Sequence, residues 1–232
     1  MCAARQAPVP HRRPGFTLVE LLVVIAILGF LMALIFPNLR KALQSARTIQ
    51  CASNLRQYGM ALTQYGQENK GMFPPKAVPG LFNSVFTWTG KAGEVSPYDR
   101  LTADLRHLNP YVNVYQPDDP CLVARCPSDE GTVLYHRSGS AYGSNTNPLM
   151  PNSVVDKSGR SIAFIRVRLP SLFVVLADHG ANSMVWGLYS TSWHRTEQGR
   201  QYWNLLFADG HAQLLPVDHN RLKGESYSYC YE

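Results

Sequence analysis

Between Phe16 and Phe36 the chain reads FTLVELLVVIAILGFLMALIF, 21 residues that carry one charge, on Glu20. A helix rises about 1.5 Å per residue, so this run reaches across the roughly 30 Å hydrocarbon core of a bilayer. Such a segment predicts a single transmembrane helix. A secretory signal peptide fits it poorly, because its apolar core is about 7–15 residues and ends in a small-x-small site. Here Ile35-Phe36-Pro37-Asn38 offers no such site. A plain anchor explains the length but not Glu20, since a carboxylate inside a spanning helix is costly and marks function.

Composition narrows the rest. With 232 residues, 45% hydrophobic and 16% charged, the chain can bury a real core, which excludes a disulfide-only miniprotein and wholesale disorder. The net charge is +6. Half of that excess comes from Arg5, Arg12 and Arg13, leaving 19 basic against 16 acidic residues beyond residue 15. So small an excess, without a binding motif, argues against nucleic acid as a partner.

The residues around the start of the apolar run carry a resemblance. Arg12-Arg13-Pro14-Gly15-Phe16-Thr17-Leu18-Val19-Glu20 resembles the cleavage and methylation site of type IV prepilins and type II secretion pseudopilins. The resemblance implies that a prepilin peptidase cuts between Gly15 and Phe16 and methylates Phe16. It also implies that Glu20 pairs with the terminal amine of a neighbouring subunit during filament assembly, offsetting its own desolvation. Basic residues flank the apolar run on both sides, three before it and four after (Arg40, Lys41, Arg47, Arg56), so loop charge leaves the orientation open. The resemblance places the N-terminus in the cytoplasm and the body in the periplasm. The protein would be stored in the inner membrane, in contact with lipid, and then drawn into a periplasmic or surface filament. Its partners would be the peptidase, other copies of itself, other pilins and an inner-membrane assembly platform.

Past Pro37 the pattern stays helical. Leu39, Leu43, Ala46, Ile49, Leu55, Ala61 and Leu62 recur at three- and four-residue intervals, an amphipathic stripe. Asn69-Lys70-Gly71 supplies a stop and Phe73-Pro74-Pro75 seals it. Either one spine helix runs from Phe16 to about Lys70, kinked at Pro37, or two helices meet at a break. The expected layout is a leader over 1–15, a transmembrane and polymerisation helix over 16–36, its amphipathic continuation over 37–70, and a globular head over 71–232.

Within the head, Met72–Asp119 reads as loops and short elements, with a short helix at Leu105–Leu108. Strand candidates are Ser161–Arg168, Ser171–Ala177, Ser183–Tyr189, Trp203–Ala208 and Ala212–Pro216. The last two flank Asp209-Gly210-His211, a hairpin turn signal. The predicted fold class is therefore α+β: a long N-terminal spine helix and an antiparallel β-sheet head. Three further segments, Cys126–Asp129, Ser140–Asn145 and Phe207–His211, resemble landmarks of a pseudopilin-like group with a C-terminal His-x9-Asp-Gly motif. This chain departs from that motif, because His194 lies fifteen residues before Asp209.

One cluster invites an enzymatic reading: Asp178, His179, His194, Asp209 and His211. Mixed His and Asp ligands suit zinc, and three protein ligands with a water make a hydrolytic site. The alternative function is thus a membrane-anchored periplasmic metal-dependent hydrolase. HExxH, GxSxG, Walker A and GxGxxG motifs are all absent from the sequence. The plainer reading is that Asp209-Gly210 is simply the hairpin turn and the flanking histidines are partly exposed side chains. A structural calcium is a third reading, implied by the calcium that major pseudopilins hold in a C-terminal loop. Asp178, Asp209 and Asp218 would be its carboxylate ligands, with backbone carbonyls completing the shell. Of the five cysteines, Cys2 leaves with the leader, and Cys51, Cys121, Cys126 and Cys230 remain. Cys121 and Cys126 share one Pro-flanked loop, so the expected disulfide joins them.

Overall fold

A computed structural model describes residues 16–75, 88–94, 98–129, 133–146, 153–155, 160–178, 194, 196–197, 200–217 and 227–228. The expected strand Ser183–Tyr189, along with Gly15, His179, Asp218 and Cys230, lies outside the described residues. The chain divides into two compact units, Met1–Leu43 and Gln44–Glu232. The second unit includes the first helix from Gln44 onward.

Helix α1 spans Leu18–Glu68, 51 residues with Pro37 inside it. One helix forms, not two. Pro37 costs a backbone donor, and apolar helix formers such as Leu, Ala and Met on both sides keep propensity favourable. The helix stops where the sequence predicts. Lys70 and Gly71 take positive φ values of 55° and 70°, and the Gly71 amide reaches back to the Gly66 carbonyl at 2.8 Å, a left-handed C-terminal cap.

In the first unit every described side chain of α1 is exposed. In the second, Cys51, Asn54, Leu55, Tyr58, Gly59, Ala61, Leu62, Tyr65 and Gly66 are buried, a stripe at helical spacing. The stripe begins later than the sequence pattern implies. Leu39, Leu43 and Ile49 remain at least half exposed.

The body is an antiparallel sheet of five short strands among the described residues. They are β1 (Tyr142–Ser144), β2 (Val174–Asp178), β3 (Thr196–Glu197), β4 (Arg200–Phe207) and β5 (Ala212–Pro216). β4 is the hub, pairing with β2, β3 and β5, while β1 pairs with β2. Its side chains alternate: Trp203, Leu205 and Phe207 pack in one cluster with Val217 and Tyr227. Leu206 packs with the buried stripe of α1 in the other cluster. A register shift between Val174 and Leu176 lets β2 serve both, placing Val174 and Ala177 with the first and Val175 and Leu176 with the second. The architecture is α+β, a long N-terminal apolar helix followed by an antiparallel sheet.

The Asp-Gly hairpin forms as predicted. Gly210 has φ +89°, its amide donates to Phe207 O at 3.0 Å, and Phe207 N donates to His211 O at 2.9 Å. The turn lies on the spine at Gly59, where a Cβ would sit 2.8 Å from Gly210 O. Only a glycine lets helix and hairpin approach this closely.

Three predictions fail. Ser161–Arg168 is not a strand: Ser161 and Ala163 make isolated bridges, and Phe164–Arg166 turns as a 3-10 helix that stacks Phe164 on Phe73 at 3.8 Å between ring centroids. The disulfide is also different. Cys126 bonds Cys51 on α1, 75 residues away, with Cα atoms 5.3 Å apart, not Cys121. The 3-10 turn Leu122–Ala124 separates the two loop cysteines and sends them to different neighbours. Cys121 is a free, fully buried thiol, with its sulfur 3.7 Å from Tyr58 Oη, and burial raises its pKa.

The loops before β1 are held by two buried polar side chains. Arg106 donates to Thr89 O and Ser138 O, both at 2.7 Å. Asn109 accepts from Gly90 N at 2.9 Å and donates to Gly90 O and Ala103 O, each at 2.6 Å. The expected helix at Leu105–Leu108 is instead two 3-10 turns, Ala103–Leu105 and Asn109–Val112.

Candidate functional site

The N-terminus of α1 is held by Thr17 and Glu20. Thr17 stands before the first helical residue, and its backbone N–H and hydroxyl donate to Glu20 Oε2 at 2.8 and 2.7 Å. Glu20 N lies 3.3 Å from the Thr17 hydroxyl in return. This is a capping box, which satisfies donors that a helix start leaves without partners. Its signature, Thr-x-x-Glu, is readable in the sequence as Thr17-Leu18-Val19-Glu20. Beyond the cap the apolar side chains are bare: Phe16 is 72% and Leu18 81% exposed. The most apolar 18-residue window has mean hydropathy 3.0, and none of it is buried inside the protein. A surface of this kind requires lipid or other helices. Near its far end the Arg40 guanidinium lies 4.7 Å from the Phe36 ring centroid, a cation–π contact.

In the body the structure splits the His/Asp cluster. Asp178 at the end of β2 and His194 meet, with His194 Nε2 2.7 Å from Asp178 Oδ2 and both side chains fully buried. Asn204 N on β4 donates to the same oxygen at 2.8 Å. From α1, Gln44 Nε2 donates to His194 O at 2.7 Å, and the Thr48 hydroxyl lies 3.3 Å from His194 Nδ1. Asp209 and His211 form a separate pair in the hairpin turn, 2.6 Å apart and partly exposed, with the His211 ring stacked on Phe207 at 4.2 Å between centroids. Asp178 is thus committed to His194 and β4, and Asp209 to its own turn. Among the described residues the single group of three metal-ligating side chains is Cys51, Cys126 and His194, which contains neither aspartate.

Chemically the buried pair works as a clamp, since His194 and Asp178 tie β2, β4 and α1 together through hydrogen bonds in a low-dielectric interior. Hydrolysis needs a face open to water and substrate, and neither side chain has one. The hydrolase alternative finds no support in this arrangement.

The model of the prokaryotic N-terminal methylation motif matches residues 10–36, the stretch that includes the capping box and nearly all of the bare apolar helix. No curated protein and no solved structure matches the chain.

Proposed function

We propose that this protein is a prepilin-type structural subunit, cut between Gly15 and Phe16, methylated at Phe16, and assembled through its apolar helix into a filament. The observation that carries the reading is the methylation motif at residues 10–36, seated on an exposed apolar helix that begins with a Thr17–Glu20 capping box. The filament would be a type II secretion pseudopilus or a type IV pilus-like fibre, built on an inner-membrane platform from copies of this chain and other pilins. Removal of residues 1–15 frees an amine at Phe16, one residue before the cap. In a filament, Glu20 of one subunit would hold its own helix start through Oε2 and accept the cationic amine of a neighbour. Extracting the helix from lipid costs little when neighbouring helices replace the acyl chains, but an unpaired buried charge costs several kcal/mol. Glu20 thereby sets the register of assembly, and head-to-tail contacts extend as an open fibre.

Glu20→Ala tests this in cells carrying the assembly machinery. Processing at Gly15–Phe16 is expected to persist while filaments disappear. Filaments of normal yield from Glu20→Ala would overturn the assignment of Glu20.

A further inference from the structure

Cys51, Cys126 and His194 are all buried and offer ligand atoms within 4.8 Å of one another. They come from three separate places: α1, the loop after the 3-10 turn Leu122–Ala124, and the chain just before β3. In the oxidised protein the two sulfurs are spent on each other. We propose that, when this disulfide is reduced, Cys51, Cys126 and His194 bind one zinc ion, with Asp178 as the carboxylate that orients the histidine.

The donor chemistry selects the metal. Two thiolates and an imidazole are soft and borderline ligands, which suit zinc and exclude calcium and magnesium. In a tetrahedral zinc site the ligand atoms stand about 3.5–3.8 Å apart, from metal–ligand distances of about 2.0–2.3 Å. The trio is within a small adjustment of that spacing, and breaking the S–S bond moves the sulfurs apart, as a metal requires. The histidine is already set. Its Nε2 faces Asp178 Oδ2 at 2.7 Å, so a neutral ring donating from Nε2 presents Nδ1 as the lone-pair ligand. Metal-bound histidines characteristically donate their other N–H to a carboxylate in this way. Asp178 is itself fixed by the Asn204 amide at 2.8 Å, and Thr48, one turn before Cys51 on α1, contacts Nδ1 at 3.3 Å. Nδ1 therefore lies toward the helix face that bears Cys51. Asp178 Oδ1 is buried with no hydrogen-bond partner among the described residues.

The steps balance. A dithiol reductant gives two electrons to the disulfide and, with two protons, releases two thiols while becoming a disulfide itself. Zinc then displaces those two thiol protons and binds two thiolates and the neutral imidazole. The same two segments, α1 and the Cys126 loop, stay tied in either state, by sulfur or by metal.

The test uses the full chain in detergent micelles, reduced with a dithiol, freed of it without air, and titrated with cobalt(II) as the spectroscopic stand-in for zinc. One equivalent is expected, with thiolate charge-transfer and tetrahedral d–d absorption, bleached on adding zinc and absent from the oxidised chain. His194→Ala should weaken cobalt at least tenfold, and Asp178→Asn about 10–100-fold. Cys121→Ser should leave binding unchanged. Circular dichroism before reduction establishes that each variant folds. Absence of the thiolate band in the reduced chain, whether it stays folded or not, overturns the proposal. So does cobalt affinity that is indifferent to His194→Ala, which would mark adventitious binding by two thiols.

Discussion

Replacing Cys51 by Ala removes the cross-link between α1 and the Cys126 loop, and the consequence can be worked from chain statistics. The disulfide closes a loop of 75 residues. Loop-closure entropy for that length amounts to roughly 15 cal/mol/K, or about 4.5 kcal/mol at 25 °C, as an upper bound on the loss, with about 2–4 kcal/mol typical in practice. The substitution also frees Cys126, five positions from the Cys121 thiol, and a Cys121–Cys126 bond would close so short a loop that it restores little. It would also draw Cys121 from its place beside Tyr58. The assay is guanidinium unfolding of the chain in micelles without reductant, followed by the fluorescence of the buried tryptophans, Trp88 and Trp203 among them. Cys51→Ala, Cys126→Ala and the double variant should lose the same amount, about 3–4 kcal/mol, because each deletes one shared bond. Cys121→Ala should lose only the value of a small buried group, on the order of 1 kcal/mol. Near-neutral Cys51→Ala together with a costly Cys121→Ala would show that the working bond is the local Cys121–Cys126 pairing instead.

Three further outcomes follow from the packing. Gly59→Ala gains about 1 kcal/mol of helix propensity but forces a Cβ to 2.8 Å from Gly210 O and 3.1 Å from Leu206 Cδ1. Overpacking of about 1–3 kcal/mol should win, lowering the thermal midpoint of the head. Arg106→Leu strips donors from the Thr89 and Ser138 carbonyls. At about 1–3 kcal/mol per buried group left unpaired, it should destabilise by several kcal/mol in the same unfolding assay, with Arg106→Lys recovering part. Burial lowers the pKa of His107, so the unfolded chain binds more protons below about pH 6.5, and acidification through that range costs stability. His107→Gln should flatten that part of the acid limb in a pH series of thermal midpoints.

Much of the architecture was legible because it rests on local signals. The apolar run, the Asn69-Lys70-Gly71 stop, β2, β4, β5 and the Asp-Gly turn each follow from periodicity or turn chemistry over a few residues. The misses depend on contacts distant in sequence. Cys126 finds Cys51 across 75 residues, which loop proximity to Cys121 could not foresee. Phe164, alternating in an apolar stretch that reads as a strand, turns instead to stack on Phe73 and to fill the space beside Gly66, where a Cβ would meet its ring at 2.9 Å. Arg106 and Asn109 look like surface polar residues and are fully buried, since their partners are carbonyls and amides that only the folded loops bring together. His194 and Asp178 suggest metal chemistry in the sequence by residue type alone. Their meeting depends on β2 and on the segment before β3, sixteen residues apart, and Thr48, which completes the contact, carried no sequence signal.

Whether the chain is made as a prepilin is decided by the mass of its mature N-terminal peptide. Protein purified from its native membrane, in cells with a working prepilin peptidase, is predicted to begin at Phe16 bearing one N-methyl group. A terminus still carrying residues 1–15 would show that the chain is not processed as a prepilin and leave the apolar helix as a plain membrane anchor.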